Sequence, residues 1–174
     1  MERARRLQEQ EERNETRKNK ILLSIIVILL AIIVMIAIFY VRSTHPRTQA
    51  KREATEIAKE YAHLNTVDNF YWFTRKETYF SVTGKDDKGE ELVVIIPKSG
   101  EKVTVLNQKD GQDESQIRQI IETKYKEKNI QKISLGLYND QPTWEIVTKN
   151  DDGLLSYYLL SFANAEEVMI IKNV

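Results

Sequence analysis

Two overlapping serine–lysine motifs lie near the middle of the chain, and their residue types and spacing could supply a nucleophile. Ser99 and Lys102 have the S-x-x-K spacing, and Lys98-Ser99-Gly100 has the K-[ST]-G pattern of penicillin-recognising enzymes. In those enzymes the two motifs lie on separate elements that converge on one cleft. Here they overlap around a single glycine, so their side chains cannot face each other. The pattern therefore predicts a turn between two strands.

Histidine and acidic side chains offer little more for catalysis or metal binding. The chain contains only His45 and His63 as histidines, and it has no cysteine. A His-centred triad or metal site needs further groups at fixed geometry, and the sequence suggests none. The acidic segments 86–89 and 150–153 lie between strand patterns, whereas an EF-hand loop lies between two helices. We therefore predict tight turns there, with no catalytic residue, no metal and no cofactor.

Aromatic side chains form the best candidate for a binding surface. Residues 70–73 read Phe-Tyr-Trp-Phe, and alternation along a strand sends neighbouring side chains to opposite faces. One interpretation divides these rings between a core and an amphipathic surface. The other is an exposed aromatic patch for a protein partner, with a weaker second patch at residues 157–158. The candidate partner-binding residues are Tyr71, Phe73, Tyr79 and Tyr157.

A long apolar segment places these residues in relation to a membrane. Ile21–Val41 contains no charge, glycine or proline, and as a helix it would be about 31 Å long, close to the thickness of a bilayer core. Seven Lys or Arg residues precede it, and four lie in a comparable stretch after it. This bias favours a single span, with residues 1–20 as a cytoplasmic tail and residues 42–174 outside the cell membrane.

A cleaved signal peptide is the competing interpretation of the same segment. The apolar region of a signal peptide is shorter and ends near a small-x-small site. Here the nearest weak site, Thr48-Gln49-Ala50, lies well beyond the end of the apolar run. These lengths favour an uncleaved anchor. An exported region without cysteine must be held together by its core, and it suits an envelope that does not depend on disulfides, as in many Gram-positive bacteria.

The charge of the chain excludes one large class of partners. The sequence has 26 basic and 26 acidic residues, and the region after the span shows no contiguous basic patch. Nucleic-acid-binding domains present such a patch. We therefore expect no nucleic-acid partner, and nothing in the sequence implies a small-molecule substrate.

The region after the span repeats itself at an offset of sixty-four residues. YFSVTGKDDKG, which begins at Tyr79, aligns with TWEIVTKNDDG, which begins at Thr143. The matching order of predicted elements supports the repeat. It divides the region into a first unit, residues 42–110, and a second unit, residues 111–174.

Each unit is predicted to be a helix followed by an antiparallel meander. Pro46 should end any continuation of the membrane helix, and the first unit then has a helix with a face containing Ala54, Ala58 and Tyr61. Asp113 and Gln116 form a capping box that starts the second helix. The predicted strands are residues 67–74, 78–84, 92–97, 102–107, 130–138, 143–148, 154–162 and 167–172. The fold class is α+β, with the units packed together because neither has much core alone.

These residues resemble the TseB-like family of membrane-anchored cell wall elongation regulators of Gram-positive bacteria. The likeness rests on the basic tail, the single span, the helix EATEIAKEYAHL and the segments YFSVTGKDDKGEELVVIIP and QPTWEIVTKNDDGLLSYYLLSF. It covers about residues 50–172. The resemblance implies two tandem PepSY or cystatin-like units, and no catalytic residue is carried over from it.

The resemblance also implies a function. It indicates a non-enzymatic, membrane-anchored regulator that binds a penicillin-binding protein or another component of peptidoglycan synthesis. Two alternatives stay open at this point. One is a PepSY-like inhibitor or modulator of a secreted peptidase, and the other is an enzyme acting on wall polymers.

Overall fold

The computed structural model describes the backbone of residues 2–174 and the side chains of residues 20, 22–40 and 46–174. The first helix, α1, runs over Glu2–Ala62. Within it, Leu22–Tyr40 has a mean hydropathy of 3.5, and none of this stretch is buried by protein. The hydroxyl of Ser24, in this stretch, donates to the backbone carbonyl oxygen of Lys20 at 2.9 Å. The segment is long and apolar enough to be a membrane anchor or a signal sequence.

The prediction that Pro46 ends the apolar helix is wrong, because α1 continues through it. A proline removes one backbone hydrogen bond and crowds the preceding turn, so its effect on a helix is local. Residues beyond it keep an independent reason to be helical. Ala50, Ala54, Ala58 and Ala62 recur at intervals of four and are all buried.

Residues 49–174 form one compact unit that contains two four-stranded antiparallel sheets. The first sheet has the order β1-β2-β3-β4. Its strands are β1 (Leu64–Thr74), β2 (Thr78–Asp86), β3 (Glu91–Pro97) and β4 (Thr104–Asn107). The helix-facing side of this sheet packs on the alanine stripe of α1 through residues that include Val82, Val94 and Ile96.

A short 3₁₀ helix, Gln108–Asp110, leads to helix α2 (Glu114–Thr123). Asp113 accepts from the backbone N–H of Gln116, and the side chain of Gln116 accepts from the backbone N–H of Asp113, so the predicted capping box is present. The second sheet has the order β5-β6-β7-β8. Its strands are β5 (Ile130–Tyr138), β6 (Gln141–Lys149), β7 (Leu155–Ser161) and β8 (Glu167–Ile171). The predicted α+β class and all eight predicted strands are confirmed.

One apolar core joins the two sheets and α2. It contains Tyr71 and Phe73 from β1, Ile117 and Ile121 from α2, and Trp144 from β6, together with neighbours from β2, β3, β5 and β7. The Tyr71 and Trp144 rings meet edge to face with their centres 5.2 Å apart. Since both sheets contribute to the same core, neither buries its apolar face without the other.

Tyr61 departs from the predicted helix face. Its side chain is 61% exposed, although the helical period placed it with the buried alanines. Alanines set four apart form a narrow stripe, and the stripe brings the helix backbone close to the sheet. The ring of Tyr61 therefore lies beyond the contact.

Candidate partner-binding surface

A buried carboxylate lies on the side of the second sheet that faces away from the shared core. Glu145 on β6 is 3% exposed and sits opposite Ser134 on β5. Its Oε2 accepts from the Ser134 hydroxyl at 3.1 Å and from Lys132 Nζ at 3.0 Å. Because strand neighbours point to opposite faces, Trp144 and Ile146 enter the core while Glu145 points away from it. A buried charge needs such partners to offset its lost hydration.

The third partner of Glu145 comes from the turn between β1 and β2. Arg75 Nε donates to Glu145 Oε1 at 2.5 Å. The guanidinium carbon of Arg75 also lies 5.1 Å from the centre of the Tyr157 ring, within the range of a cation–π contact. Its Nη2 is buried and has no hydrogen-bond partner among the described residues, so the electron-rich Tyr157 ring is the compensating neighbour. The Arg75–Glu145 pair thus ties the first sheet to the second.

Apolar side chains surround this ion cluster, of which Val147 and Leu159 are buried and Tyr157 and Met169 are half-buried. Strand register places Met169 and Ile171 of β8 beside Leu159 and Tyr157 of β7, on the same side as Glu145. Tyr138 of β5 reaches across to the sulfur of Met169 at 3.9 Å. We call this surface the Tyr157 face. Its accessible side chains are Arg75, Lys132, Tyr138, Tyr157, Met169 and Ile171, and the buried Glu145, Val147 and Leu159 project on the same side of the sheet.

The rim of the Tyr157 face carries a further cation. Lys76 Nζ donates to Asn139 Oδ1 at 3.0 Å and lies 5.8 Å from the centre of the Tyr138 ring. Because the Asn139 side chain is a neutral amide, this hydrogen bond does not neutralise the positive charge of Lys76. The face combines fixed cations with half-exposed tyrosines, and protein interfaces are enriched in arginine and tyrosine.

Three of the four candidate partner-binding residues, Tyr71, Phe73 and Tyr79, are buried rather than exposed. They are 6%, 0% and 8% exposed, because alternation on β1 and β2 sends all three into the shared core. Buried rings cannot contact a partner directly. Tyr157 is half-buried and is the one member of the predicted set that reaches the surface, so its role in binding stays a prediction.

Burial and acidic neighbours hold the core tyrosines in their neutral form. Desolvation, with a hydrogen bond to Glu77 at 2.7 Å, raises the pKa of Tyr79 to about 12. Desolvation also raises the pKa of Tyr71 far above its usual value, and its hydroxyl donates to Glu114 at 2.8 Å. These groups tie β1 and β2 to their surroundings, and none is poised to exchange protons near neutral pH.

Among the described residues, the Ser, Lys and His side chains that could have supplied chemistry are exposed. Ser99 and Lys102 are exposed around the turn after β3, where Gly100 has a φ of 78°. Gly89 and Gly153 have φ values of 81° and 86° and close the turns after β2 and β6, as predicted. His63 is exposed, and the side chain of His45 lies outside the described set. Across the described residues, no cluster of three or more His, Asp or Glu side chains could hold a metal ion.

Sequence reasoning missed the Arg75–Glu145–Lys132 cluster. One signal was available, because Glu145 is a charge in the middle of an apolar strand, between Trp144 and Ile146. A buried charge at such a position needs a hydrogen-bonding or oppositely charged partner to offset its lost hydration. Its principal partner is seventy residues away in sequence, and nothing in the local pattern identifies Arg75.

Comparisons with known proteins agree with the architecture. The model of the "Cell wall elongation regulator TseB-like domain" matches residues 53–97, which cover the end of α1 and strands β1 to β3. The Bacillus subtilis (strain 168) protein named "Probable cell wall elongation regulator TseB" is 26% identical over 162 residues, covering 91% of this chain and 98% of that protein. The chain is therefore similar in sequence to the TseB-like family.

A solved structure extends this likeness to the fold. The YpmB protein from Bacillus subtilis superposes with a TM-score of 0.59 at 25% identity, covering 70% of this chain and 95% of the other. The likeness to this family therefore extends over both sequence and fold. The likeness in sequence spans nearly the whole chain, including the apolar segment.

Proposed function

We propose that this chain is a membrane-anchored, non-enzymatic regulator of cell wall elongation. The observation that carries the proposal is the match along 91% of the chain to a protein named "Probable cell wall elongation regulator TseB". The apolar stretch Leu22–Tyr40 supports an anchor. The excess of basic residues before it supports a cytoplasmic N-terminus, with residues 42–174 outside.

We further propose that the regulator acts by binding a penicillin-binding protein through the Tyr157 face. Glu145 fixes Arg75 and Lys132 in position, and Arg75 in turn lies against the Tyr157 ring. A surface held in place by its own contacts loses little conformational entropy on binding. The anchor confines the chain to the membrane in which such synthases lie, which raises their local concentration without any new contact.

The test is photo-crosslinking in living cells from a full-length chain. A photoreactive amino acid replaces Tyr157 in one strain and Tyr61, an exposed tyrosine on α1, in a control strain. We expect a penicillin-binding protein to be captured from position 157 and not from position 61. Capture of a secreted peptidase at position 157 would instead favour the inhibitor alternative.

A complementation assay tests the regulatory role independently of the contact surface. The full-length chain should restore normal cell length in a strain that lacks its own family member, and a chain without residues 22–40 should fail. Restoration by the chain that lacks the span would contradict the role of the anchor. Failure of the full-length chain would contradict the proposed function itself.

A further inference from the structure

Strand β4 has one edge without backbone partners. Lys98 donates its backbone N–H to the Thr78 carbonyl, which fixes the alternation of hydrogen-bonded pairs between β2 and β3. By that alternation, the backbone N–H and C=O groups of Thr104 and Leu106 on β4 bond to β3. Those of Val105 point outward, away from the sheet. Within residues 46–174, no backbone hydrogen bond outside the strand ladders reaches Val105. The β4 sequence Thr-Val-Leu-Asn also lacks the charges and prolines that commonly protect an edge.

A cleft of about 590 Å³ lies beside this edge. Apolar groups from both sheets line it, including Leu106 of β4, Pro142 of β6 and Phe162 after β7. Leu106 pairs with Val93, whose side chain enters the shared core, so Leu106 projects on the core side of the sheet. A strand added along Val105 would therefore direct alternate side chains into the cleft.

The rim of the cleft is acidic. Asp110, Glu166 and Glu167 line it, and no Lys or Arg is among the lining residues. Glu167 is engaged by Lys124 at 3.1 Å. Asp110 and Glu166 form no ion pair with any side chain that the structure describes, so their charges are available to an incoming cation.

We propose that this cleft, the β4 cleft, binds an extended, basic and apolar segment of a protein partner by adding it as a fifth strand to the first sheet. Val105 supplies the backbone donor and acceptor, as in strand addition at other sheet edges. Leu106, Pro142 and Phe162 receive alternate apolar side chains, and Asp110 and Glu166 pair with flanking Lys or Arg. The inference rests on the proposed function only in assuming a protein partner, and it concerns a surface distinct from the Tyr157 face.

The test uses the full-length chain in detergent micelles and a fluorescent, end-blocked peptide, Lys-Thr-Val-Thr-Val-Thr-Lys, in which both Lys residues and both Val residues project on one face of a strand. Fluorescence anisotropy should detect saturable binding that is at least about tenfold weaker for the counterpart with Glu in place of Lys, from the reversal of rim ion pairs. N-methylation of alternate peptide nitrogens should abolish binding, because it removes the donors that an added strand needs.

Two variants locate the site. Asp110→Lys should weaken peptide binding about tenfold, whereas the matched control Asp151→Lys, in the exposed turn after β6, should not change it. Val105→Pro should abolish binding while preserving the fold, because proline is tolerated where an edge N–H faces solvent. If Val105→Pro disturbs the near-ultraviolet circular dichroism, the Asp110/Asp151 comparison still decides the question.

The outcomes separate this inference from the proposed function. The proposal that the β4 cleft binds a partner segment is overturned by absence of peptide binding, or by equal binding to wild type, Asp110→Lys and Asp151→Lys. Self-association that Val105→Pro abolishes in sedimentation experiments also overturns it, in favour of pairing between two copies of this chain. The proposed function is judged by complementation, so it can fail while peptide binding persists, or hold while the cleft proves empty.

Discussion

Removal of the buried carboxylate of Glu145 should destabilise the compact unit more than removal of the exposed Lys132 amine. The Glu145 side chain is 4% exposed, and those of Arg75 and Lys132 are 22% and 44% exposed. Breaking a buried pair leaves an uncompensated charge and costs about 3–5 kcal/mol. Because solvent screens part of this cluster, we expect about 3 kcal/mol for Glu145→Ala. Lys132→Ala should cost less than about 1 kcal/mol, the range of exposed pairs.

Urea unfolding of the full-length chain in detergent micelles measures these differences. Both tryptophans, Trp72 and Trp144, lie in the compact unit, so their fluorescence reports its unfolding rather than that of the apolar helix. Glu145→Gln is the conservative variant, since its amide oxygen still accepts from Arg75, and we expect it to cost about 1–2 kcal/mol. A double-mutant cycle with Arg75→Ala then isolates the pair.

The result that refutes this reasoning is specific. A cost below about 1 kcal/mol for Glu145→Ala would place the carboxylate in the class of solvent-screened surface pairs. A coupling energy near zero between positions 75 and 145 would show that the pair does not join the two sheets. Asp151→Ala, at an exposed turn, should leave the unfolding midpoint unchanged.

Two further perturbations test the shared core. Gly136→Ala should destabilise the unit by about 1–3 kcal/mol, because the added Cβ would clash with the ring of Phe73, and an unchanged urea midpoint would contradict this packing. Alkaline pH should destabilise it as well. The pKa of Tyr79 rises on folding from 10.0 to about 12, so the folded state favours the neutral phenol. Its contribution is complete below pH 10 and declines as the pH rises toward 12. Unfolding free energies of wild type and Tyr79→Phe should converge over that interval, and a constant difference would argue against the shift.

The secondary structure was largely predictable because local signals agree with the tertiary fold. Asp113 and Gln116 form their capping box, and Gly89 and Gly153 close the predicted turns. These features depend on residues close in sequence. Pro46 shows the opposite case, because a strong local signal for a break was overridden within a long helix.

The candidate site was less predictable, since exposure depends on which strand face meets the rest of the protein. Alternation indicated that the rings of Phe70–Phe73 must divide between two faces, but it could not say which face was buried. Tyr71 and Phe73 enter the core shared with the second sheet, and Phe70 and Trp72 lie half-buried on the other face. Which face of β1 is buried in the shared core is decided by packing against a second sheet that is distant in sequence.

The shared core has a consequence for the order in which the chain is made. Strands β1 to β3 are complete by Pro97, yet the apolar face that carries Tyr71 and Phe73 packs against groups as late as Phe162. At about 5–20 residues per second, that interval of roughly sixty residues takes about 3–12 seconds to synthesise. During this time the first sheet presents an uncovered apolar surface, which is a target for chaperones and for aggregation. The nascent chain is therefore most vulnerable when half of its fold is already built.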